Sequence, residues 1–234
     1  MSINAVAFDL GDTLISYNVP LSWESLYDGA LKDVLNSLGR KPQQQFLIDG
    51  KRILSKYNTR KNPRFFEVKA EVIFSEIYSC WKIDNLDKLY ETVECFFNHF
   101  QRNIFLYDDS IECLKYLKQS GVKTGIITDV PYGMATRYVK KDIIDFDSYI
   151  DYLITSVDVG FRKPSINGYK ELLNKLDYSK GIFLYVGNEE KDIVGANEAG
   201  YISVLIDRDK KGYDYGQKYT ISSLLDLKDI IKKF

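Results

Sequence analysis

Histidine and cysteine are scarce in this chain of 234 residues. It contains one histidine, His99, and three cysteines, Cys80, Cys95 and Cys113, which form no CxxC pair. A single histidine makes a catalytic Ser-His-Asp triad improbable. The spacing of the cysteines indicates neither a zinc site nor a disulfide framework. We interpret the cysteines as buried thiols of a protein in a reducing compartment, and we expect a cytoplasmic location.

The chain also lacks an excess of either charge and any long apolar run. Its 32 Lys and Arg residues and 33 Asp and Glu residues leave a formal net charge of −1. This balance gives no reason to expect nucleic acid or an anionic membrane as a partner. The N-terminus does not show the basic-then-apolar pattern of a signal peptide, and no apolar stretch is long enough to span a bilayer. We expect a globular monomer or homodimer.

The chain does have a regular alternation of apolar strands and amphipathic helices. Residues 4–10 form a short, largely apolar run, which is typical of a strand buried on both faces. From residue 104 onward, strands and helices alternate up to a closing helix at 222–233. This alternation predicts an α/β fold, with a Rossmann-like parallel sheet and helices on both of its faces.

A block of about four helices interrupts the alternation directly after the first strand. Apolar residues recur every three or four positions, as on one face of a helix, and no strand is predicted among them. The segments with this spacing are 26–38, 43–57, 64–81 and 85–102. We therefore predict a core domain of residues 1–15 and 104–234 and a helical cap domain of residues 16–103.

Polar side chains follow the predicted strands of the core at four places. Ligands of open α/β sheets bind outside the carboxyl ends of the strands, so these side chains are candidates for a shared site. Each alone could be an ordinary turn or helix cap, but four in this order favour a site. They are Asp9, Asp12 and Thr13; Thr128 and Asp129; Lys163 in GFRKP (160–164); and Asn188 and Asp192 in GNEEKD (187–192).

These residue types suit a reaction on an anionic group. The Asp9 carboxylate can act as a nucleophile, and the Thr128 hydroxyl and the Lys163 ammonium can bind an anion. Lys163 would also favour the ionised form of Asp9. Asn188 and Asp192 offer the oxygen atoms that Mg²⁺ prefers.

In this combination and order, the motifs resemble those of the haloacid dehalogenase-like (HAD) hydrolase superfamily. That superfamily has the pattern Asp-x-Asp-x-Thr, then Thr or Ser, then Lys, then an acidic loop. Asp9 and Thr13 match the first motif, Thr128 the second, Lys163 the third, and GNEEKDIVGANEAG (187–200) the fourth. The helical block after the first motif resembles the C1-type cap of the superfamily.

The resemblance implies a Mg²⁺-dependent phosphatase that acts on a small phosphorylated metabolite through an aspartyl-phosphate on Asp9. It implies that Lys163 takes part in catalysis. It also implies two sets of ligands: Asp9, the Gly11 carbonyl, Asn188 and Asp192 for the metal, and Thr13, Thr128, Asp129 and Lys163 for the phosphoryl group.

Two positions depart from the pattern of the superfamily. Gly11 stands where its second Asp acts as general acid and base, a function typically worth about 10²–10⁴-fold in rate. Asp12 follows one residue later, and it either replaces that acid or only stabilises the turn. Asn188 stands where Asp is usual and removes one negative charge from the metal site, which Asp192 is expected to offset.

Four functions stay open from the sequence. The first is hydrolysis of a phosphate ester, with Asp12 or a cap residue as acid and base. The second uses a substrate with a good leaving group, such as an acyl phosphate. The third is metal-independent dehalogenation of a 2-haloacid, which Gly11 and Asn188 favour and the acidic loop disfavours. The fourth is a non-catalytic phosphate-binding protein, which we rank lower because Asp9, Thr128, Lys163 and Asp192 are all present.

Overall fold

The computed structural model describes residues 3–17, 23–100, 104–176 and 181–234. Six parallel strands form one sheet in the order β5-β4-β1-β6-β7-β8, and β2 and β3 form a separate antiparallel pair. The open parallel sheet confirms the predicted α/β fold. The strands are β1 (Ile3–Phe8), β2 (Ile15–Tyr17), β3 (Ile104–Leu106), β4 (Lys123–Thr128), β5 (Tyr152–Thr155), β6 (Ile182–Gly187), β7 (Ile202–Ile206) and β8 (Tyr219–Ile221).

Strand β1 lies at the centre of the sheet and pairs with β4 on one side and β6 on the other. Its side chains alternate between two apolar clusters: Val6 and Phe8 belong to one, and Ala5 and Ala7 to the other. All four side chains are buried. Burial on both faces explains why this strand reads as a continuous apolar run, and it places helices on both faces of the sheet.

The helices fall into two groups along the chain. The first four, α1–α4, lie between β2 and β3, and we call residues 23–100, which contain them, the helical insert. The predicted boundaries of a cap domain and its C1 type stay predictions. The helices are α1 (Tyr27–Ser37), α2 (Gln44–Tyr57), α3 (Ala70–Cys80), α4 (Leu89–Phe100), α5 (Asp108–Gln119), α6 (Thr136–Asp142), α7 (Ser156–Val159), α8 (Asn167–Leu176), α9 (Glu190–Glu198) and α10 (Leu227–Ile231).

The helical insert packs on the rest of the chain through apolar contact. One continuous cluster of buried side chains runs from α1, α3 and α4 to one face of the sheet. Within it, Phe97 of α4 lies against Tyr138 of α6, with ring centroids 5.1 Å apart. In the part of the chain that the structure covers, no helix is long and apolar enough to cross a membrane.

The structure differs from the sequence predictions mainly in short elements. The pair β2–β3 and strand β8 were not predicted, because strands of three residues are too short to show a period. The third helix begins at Ala70 rather than 64, because the preceding residues pair with the core through a bridge between Phe66 and Phe161. Residues 101 and 102, predicted as the end of the fourth helix, lie outside the described residues.

A tight turn after β4 presses against the start of α3. Tyr132 and Gly133 in this turn both have left-handed backbones, with φ of 50° and 65°. A Cβ atom at Gly133 would lie 2.0 Å from the carbonyl oxygen of Val68. Only glycine, which has no Cβ atom, permits this approach. The backbone of the turn is therefore in direct contact with the backbone of the helical insert at Val68.

We expect Gly133→Ala to lower the free energy of unfolding by about 3 kcal/mol or more, because it adds a steric clash to the cost of a left-handed alanine. Gly121→Ala is the matched control: Gly121 has φ of 71°, with nothing within 4 Å of the added Cβ. It should cost only about 1 kcal/mol. Urea unfolding measures both values, and equal losses would contradict the close approach.

Candidate functional site

The strand ends that carry the sequence motifs meet at one edge of the sheet. Asp9 follows β1, Thr128 ends β4, and Asn188 follows β6, and these three strands are neighbours. Lys163 comes from the loop between α7 and α8. Parallel strands in adjacent positions therefore bring together residues that are far apart in the sequence.

The Lys163 ammonium group is the centre of the site. Its Nζ lies 2.6 Å from an oxygen of Asp9 and 2.6 Å from an oxygen of Asp192. It also donates to the Tyr185 hydroxyl at 3.1 Å and to the Ile127 carbonyl at 3.3 Å. Burial alone would lower the pKa of Lys163, but the carboxylates of Asp192 and Asp9 hold it well above its ordinary value. The side chain is therefore a buried cation.

Asp9 presents a carboxylate to the cavity above the strand ends. The residue is 8% exposed, and only its Oδ1 is bound to Lys163. Among the described residues, no hydrogen bond engages its second oxygen. Burial raises the pKa of Asp9 to about 6, against the opposing effect of Lys163. At neutral pH the group is thus mainly ionised, with one oxygen available for attack.

Asp192 has no exposed surface and does not line the cavity. One of its oxygens accepts from Lys163, and the other accepts from the backbone N–H groups of Asn188 and Glu189 at 3.1 and 3.0 Å. Glu189 is the N-cap of α9, and Asp192 completes a capping box with it. This carboxylate therefore holds both the start of α9 and the ammonium of Lys163.

The hydroxyl residues of the first two motifs lie beside this centre. Thr13 is fully buried, and its Oγ1 donates to the amide oxygen of Asn188 at 3.3 Å. Thr128 and Asn188 both line the cavity. Of the predicted phosphoryl-binding hydroxyls, Thr128 thus lies on the cavity, whereas Thr13 supports the loop of Asn188.

The carboxylate of Asp129 is already surrounded by donors. It accepts from the backbone N–H of Lys163 at 3.0 Å, and it pairs with Lys191 at 3.1 Å and with Arg162 at 3.7 Å. Burial would raise the pKa of Asp129, but Lys191 and Arg162 lower it. Asp129 lines the cavity, and its side chain holds cations in place around it.

The turn after β1 shows how Asp12 is oriented. Asp12 has a left-handed backbone, with φ of 56°, and its N–H donates to the Ile15 carbonyl at 2.7 Å. The residue lines the cavity, and burial and the nearby Glu189 carboxylate raise its pKa. A Cβ atom at Gly11 would lie 3.2 Å from the Tyr17 ring, so a larger side chain there would require this ring to shift by a few tenths of an ångström. Asp12 therefore serves both the turn and the cavity surface.

Several residues of the site were missed by sequence reasoning. Lys191 lies 3.0 Å from Glu189, whose second oxygen lies 2.5 Å from Arg60 of the helical insert. Arg162 forms a buried ion pair with Glu67, a residue of the insert whose side chain is 1% exposed. Arg162 and Lys191 lie within the third and fourth motifs. Glu67 and Arg60 lie in the insert, and the residues around them in the sequence give no indication that they pair with Arg162 and Glu189.

The cavity has a volume of about 480 Å³ and two unlike sides. One part of its lining, which we call the floor, consists of the strand-end residues Asp9, Asp12, Thr128 and Asn188. Another part, which we call the aromatic side, consists of aromatic rings. Tyr17, Trp23, Tyr57 and Tyr132 supply these rings. The floor can present a nucleophilic carboxylate next to a buried cation.

The donor atoms on the cavity suit a hard cation with few protein ligands. In the described parts of the chain, no group of three or more His, Cys, Asp or Glu side chains is placed to hold a metal ion. Asp9, Gly11 and Asn188 line the cavity and carry a carboxylate, a carbonyl and an amide oxygen. Mg²⁺ commonly takes one or two carboxylates and completes its shell with water and phosphate oxygens, so these residues fit it.

We expect Asp192→Asn to lower the free energy of unfolding by about 3 kcal/mol, because the buried Lys163 loses one of its two carboxylate partners. Asp226→Asn is the matched control. Asp226 completes the same kind of capping box at Ser223, but it is exposed and supports only a short 3-10 helix. Its substitution should cost about 1 kcal/mol or less in urea unfolding. A similar loss in both variants would mean that Lys163 does not depend on Asp192.

Comparison with curated proteins finds relatives named as phosphatases. A glyceraldehyde 3-phosphate phosphatase of Methanocaldococcus jannaschii is 35% identical over 132 residues, which cover 54% of this chain and 56% of that protein. The pyrophosphatase PpaX of Bacillus mycoides is 26% identical over 226 residues, which cover 97% of this chain and 94% of the relative.

Comparison with solved structures finds the same fold over nearly the whole chain. A 2-haloacid dehalogenase from Pseudomonas syringae pv. Tomato DC3000 aligns with a TM-score of 0.70 at 20% identity, covering 99% of both chains. A HAD phosphatase from Thermococcus onnurineus aligns with a TM-score of 0.61 at 21% identity, covering 98% of both. At such identities the likeness establishes the fold alone.

A family model decides the assignment. The model for haloacid dehalogenase-like hydrolases matches residues 3–200, which include all four motifs that the sequence brings to the sheet edge. This chain therefore belongs to the haloacid dehalogenase-like hydrolases.

Proposed function

We propose that this protein is a Mg²⁺-dependent phosphatase that acts on a small phosphorylated metabolite through an aspartyl-phosphate on Asp9. One observation carries the proposal. Asp9 lines the cavity, and one oxygen of its carboxylate lies 2.6 Å from the buried ammonium of Lys163, which leaves the second oxygen for the substrate. Relatives named as phosphatases support it.

In the first step, the free oxygen of Asp9 attacks phosphorus as the bond from phosphorus to the leaving oxygen breaks. Asp12, in its protonated form, donates its proton to that oxygen, so the product leaves as an alcohol. The raised pKa of Asp12 suits a group that must carry a proton. Thr128, on the same cavity, donates its hydroxyl hydrogen to a phosphoryl oxygen.

In the second step, water hydrolyses the aspartyl-phosphate. The Asp12 carboxylate accepts a proton from the water, whose oxygen bonds to phosphorus as the bond to Asp9 breaks. Inorganic phosphate leaves, and Asp9 and Asp12 return to their starting states. Lys163 stabilises the Asp9 carboxylate as it is restored, because its ammonium is already in contact with it.

Asp9, the Gly11 carbonyl and Asn188 would hold the magnesium ion. When bound, the ion supplies positive charge that offsets the charge of the phosphoryl group. Asn188 contributes an oxygen without a charge, so the ligand set carries fewer negative charges than one with Asp at that position. Asp192 is engaged by Lys163 and two backbone N–H groups, and we propose that it supports this set.

The position of Asp12 favours phosphate esters over haloacids. A halide leaves without a proton, so a dehalogenase has no need of a proton donor at this place. A carboxyl group with a raised pKa on the cavity suits a leaving oxygen that must be protonated to leave as an alcohol.

We expect Asp9→Asn to abolish phosphate release, because the amide cannot attack phosphorus. The measurement compares p-nitrophenyl phosphate, acetyl phosphate and a 2-haloacid, each with Mg²⁺ and with EDTA. The wild-type protein should release phosphate with Mg²⁺ and lose this activity with EDTA. Circular dichroism checks that the variant is folded.

Three outcomes would overturn the proposal. Undiminished turnover in Asp9→Asn would exclude Asp9 as the nucleophile. Release of halide in the presence of EDTA would identify a dehalogenase. No reaction with any of the three substrates would favour a non-catalytic phosphate-binding protein.

We expect Asp12→Asn to lower kcat/KM for an alkyl phosphate by about 10²–10⁴-fold and for acetyl phosphate by less than about tenfold, because the acyl leaving group needs little protonation. Glu190→Gln, which removes an exposed carboxylate from the same acidic loop, is the matched control and should change neither value. Equal losses for both substrates in Asp12→Asn would limit Asp12 to its role in the turn.

A further inference from the structure

We infer that the leaving group accepted by this site carries an uncharged aromatic ring, which packs against Tyr17, Trp23 and Tyr132. The inference rests on the proposed phosphatase activity and adds the class of ester to it. It follows from the direction of attack, from the arrangement of the rings and from the pairing of the charges around the cavity.

The direction of attack points the leaving group at the aromatic side. In phosphoryl transfer the attacking and leaving oxygens lie roughly in line on opposite sides of phosphorus. Asp9 lies on the floor of the cavity, at the end of β1. The leaving oxygen is therefore expected on the side of phosphorus that faces away from the end of β1. The helical insert lines the same cavity with Trp23 and residues 57–60, and these are the expected surroundings of the leaving group.

Three rings are grouped on that side. Trp23 stacks on Phe100 with centroids 4.4 Å apart, which supports one of its faces from behind. The ring of Tyr17 lies 6.2 Å from that of Trp23, and the ring of Tyr132 lies 6.3 Å from it. Tyr17 and Trp23 are only half-buried, and all three residues line the cavity. A flat ring has partners here for offset and edge-on contacts.

The backbone at Tyr132 indicates that the position of its ring matters. A bulky residue with φ of 50° is strained, and such residues concentrate at ligand sites. The close approach of Gly133 to Val68 holds this turn against the insert. The Tyr132 hydroxyl is hydrogen-bonded to that of Tyr27, which fixes the ring further.

The charges around the cavity argue against an anionic leaving group. Three cations line it, and each already has a carboxylate partner: Arg60 pairs with Glu189, Lys191 with Asp129 and Glu189, and Arg162 with Glu67 and Asp129. Within the described residues, the aromatic side thus offers no free cation to a second phosphate or a carboxylate. Pyrophosphate, whose leaving group is itself a phosphate, is a poor match for these surroundings.

The test uses two phosphate esters, of which one has an aromatic ring in its leaving group and the other has none. Both leaving groups need the same protonation. Benzyl phosphate and ethyl phosphate both release a primary alcohol whose oxygen must be protonated as it leaves, so proton donation should serve them alike. We expect kcat/KM for benzyl phosphate to exceed that for ethyl phosphate by about tenfold or more, because the ring is buried and packs on other rings. Pyrophosphate should give the lowest value of the three.

Binding without turnover gives an independent measurement. Calorimetry with Mg²⁺ present measures the Kd values of benzylphosphonate and methylphosphonate. Benzylphosphonate should bind more tightly, with the lower Kd. Trp23→Leu should reduce the ratio of benzyl to ethyl kcat/KM to about threefold or less. Phe46→Leu, which changes a half-buried ring of the insert outside the cavity, should keep the wild-type ratio.

The outcomes separate the two proposals. Equal kcat/KM values for benzyl and ethyl phosphate, or equal Kd values for the two phosphonates, would overturn the aromatic leaving group and leave the phosphatase intact. An unchanged ratio in Trp23→Leu would overturn the assignment to these rings. No phosphate release from either ester or from p-nitrophenyl phosphate would overturn the proposed function itself.

Discussion

The buried ammonium of Lys163 is the group on which the rest of the site depends. A charge removed from water is costly unless carboxylates surround it, and here Asp9 and Asp192 approach it at 2.6 Å from opposite parts of the sequence. Asp9 directly follows strand β1, and Asp192 lies in the first turn of α9. The same pairing leaves one oxygen of Asp9 for the cavity and fixes the loop of Asn188. The same contacts therefore compensate the charge of Lys163 and leave an oxygen of the Asp9 carboxylate at the cavity.

Ion pairs continue this arrangement into the helical insert. Asp129 joins Lys191 and Arg162, and Arg162 pairs with Glu67 of the insert. At the surface, Arg60 of the insert pairs with Glu189. The insert thus contributes charges to the cavity lining as well as the rings of Trp23 and Tyr57 to its aromatic side. Its apolar contact with the sheet keeps these groups over Asp9.

The departures from the superfamily pattern have local physical explanations. The Tyr17 ring lies 3.2 Å from the position of a Cβ atom at Gly11, and Asp12, which lines the cavity, has a left-handed backbone. A carboxyl group is thus present on the cavity one residue after Gly11, and an aromatic ring lies beside Gly11. Asn188 keeps an oxygen on the cavity but lowers its negative charge. If Asp12 is the acid, the reaction retains a proton donor at a shifted place.

The sequence by itself determined the α/β fold, the block of helices after the first strand and the four motifs that meet at the sheet edge. It could do so because buried parallel strands, amphipathic helices and strand-end turns each leave a local pattern. The short strands β2, β3 and β8 left none, because three residues show no period. Only the tertiary structure decided that Asp192 contacts Lys163, that Asp129 gathers cations, that Asp12 faces the cavity, and that Glu67 reaches Arg162. Those outcomes depend on contacts between distant segments, and on one left-handed residue, which no run of neighbouring residues encodes.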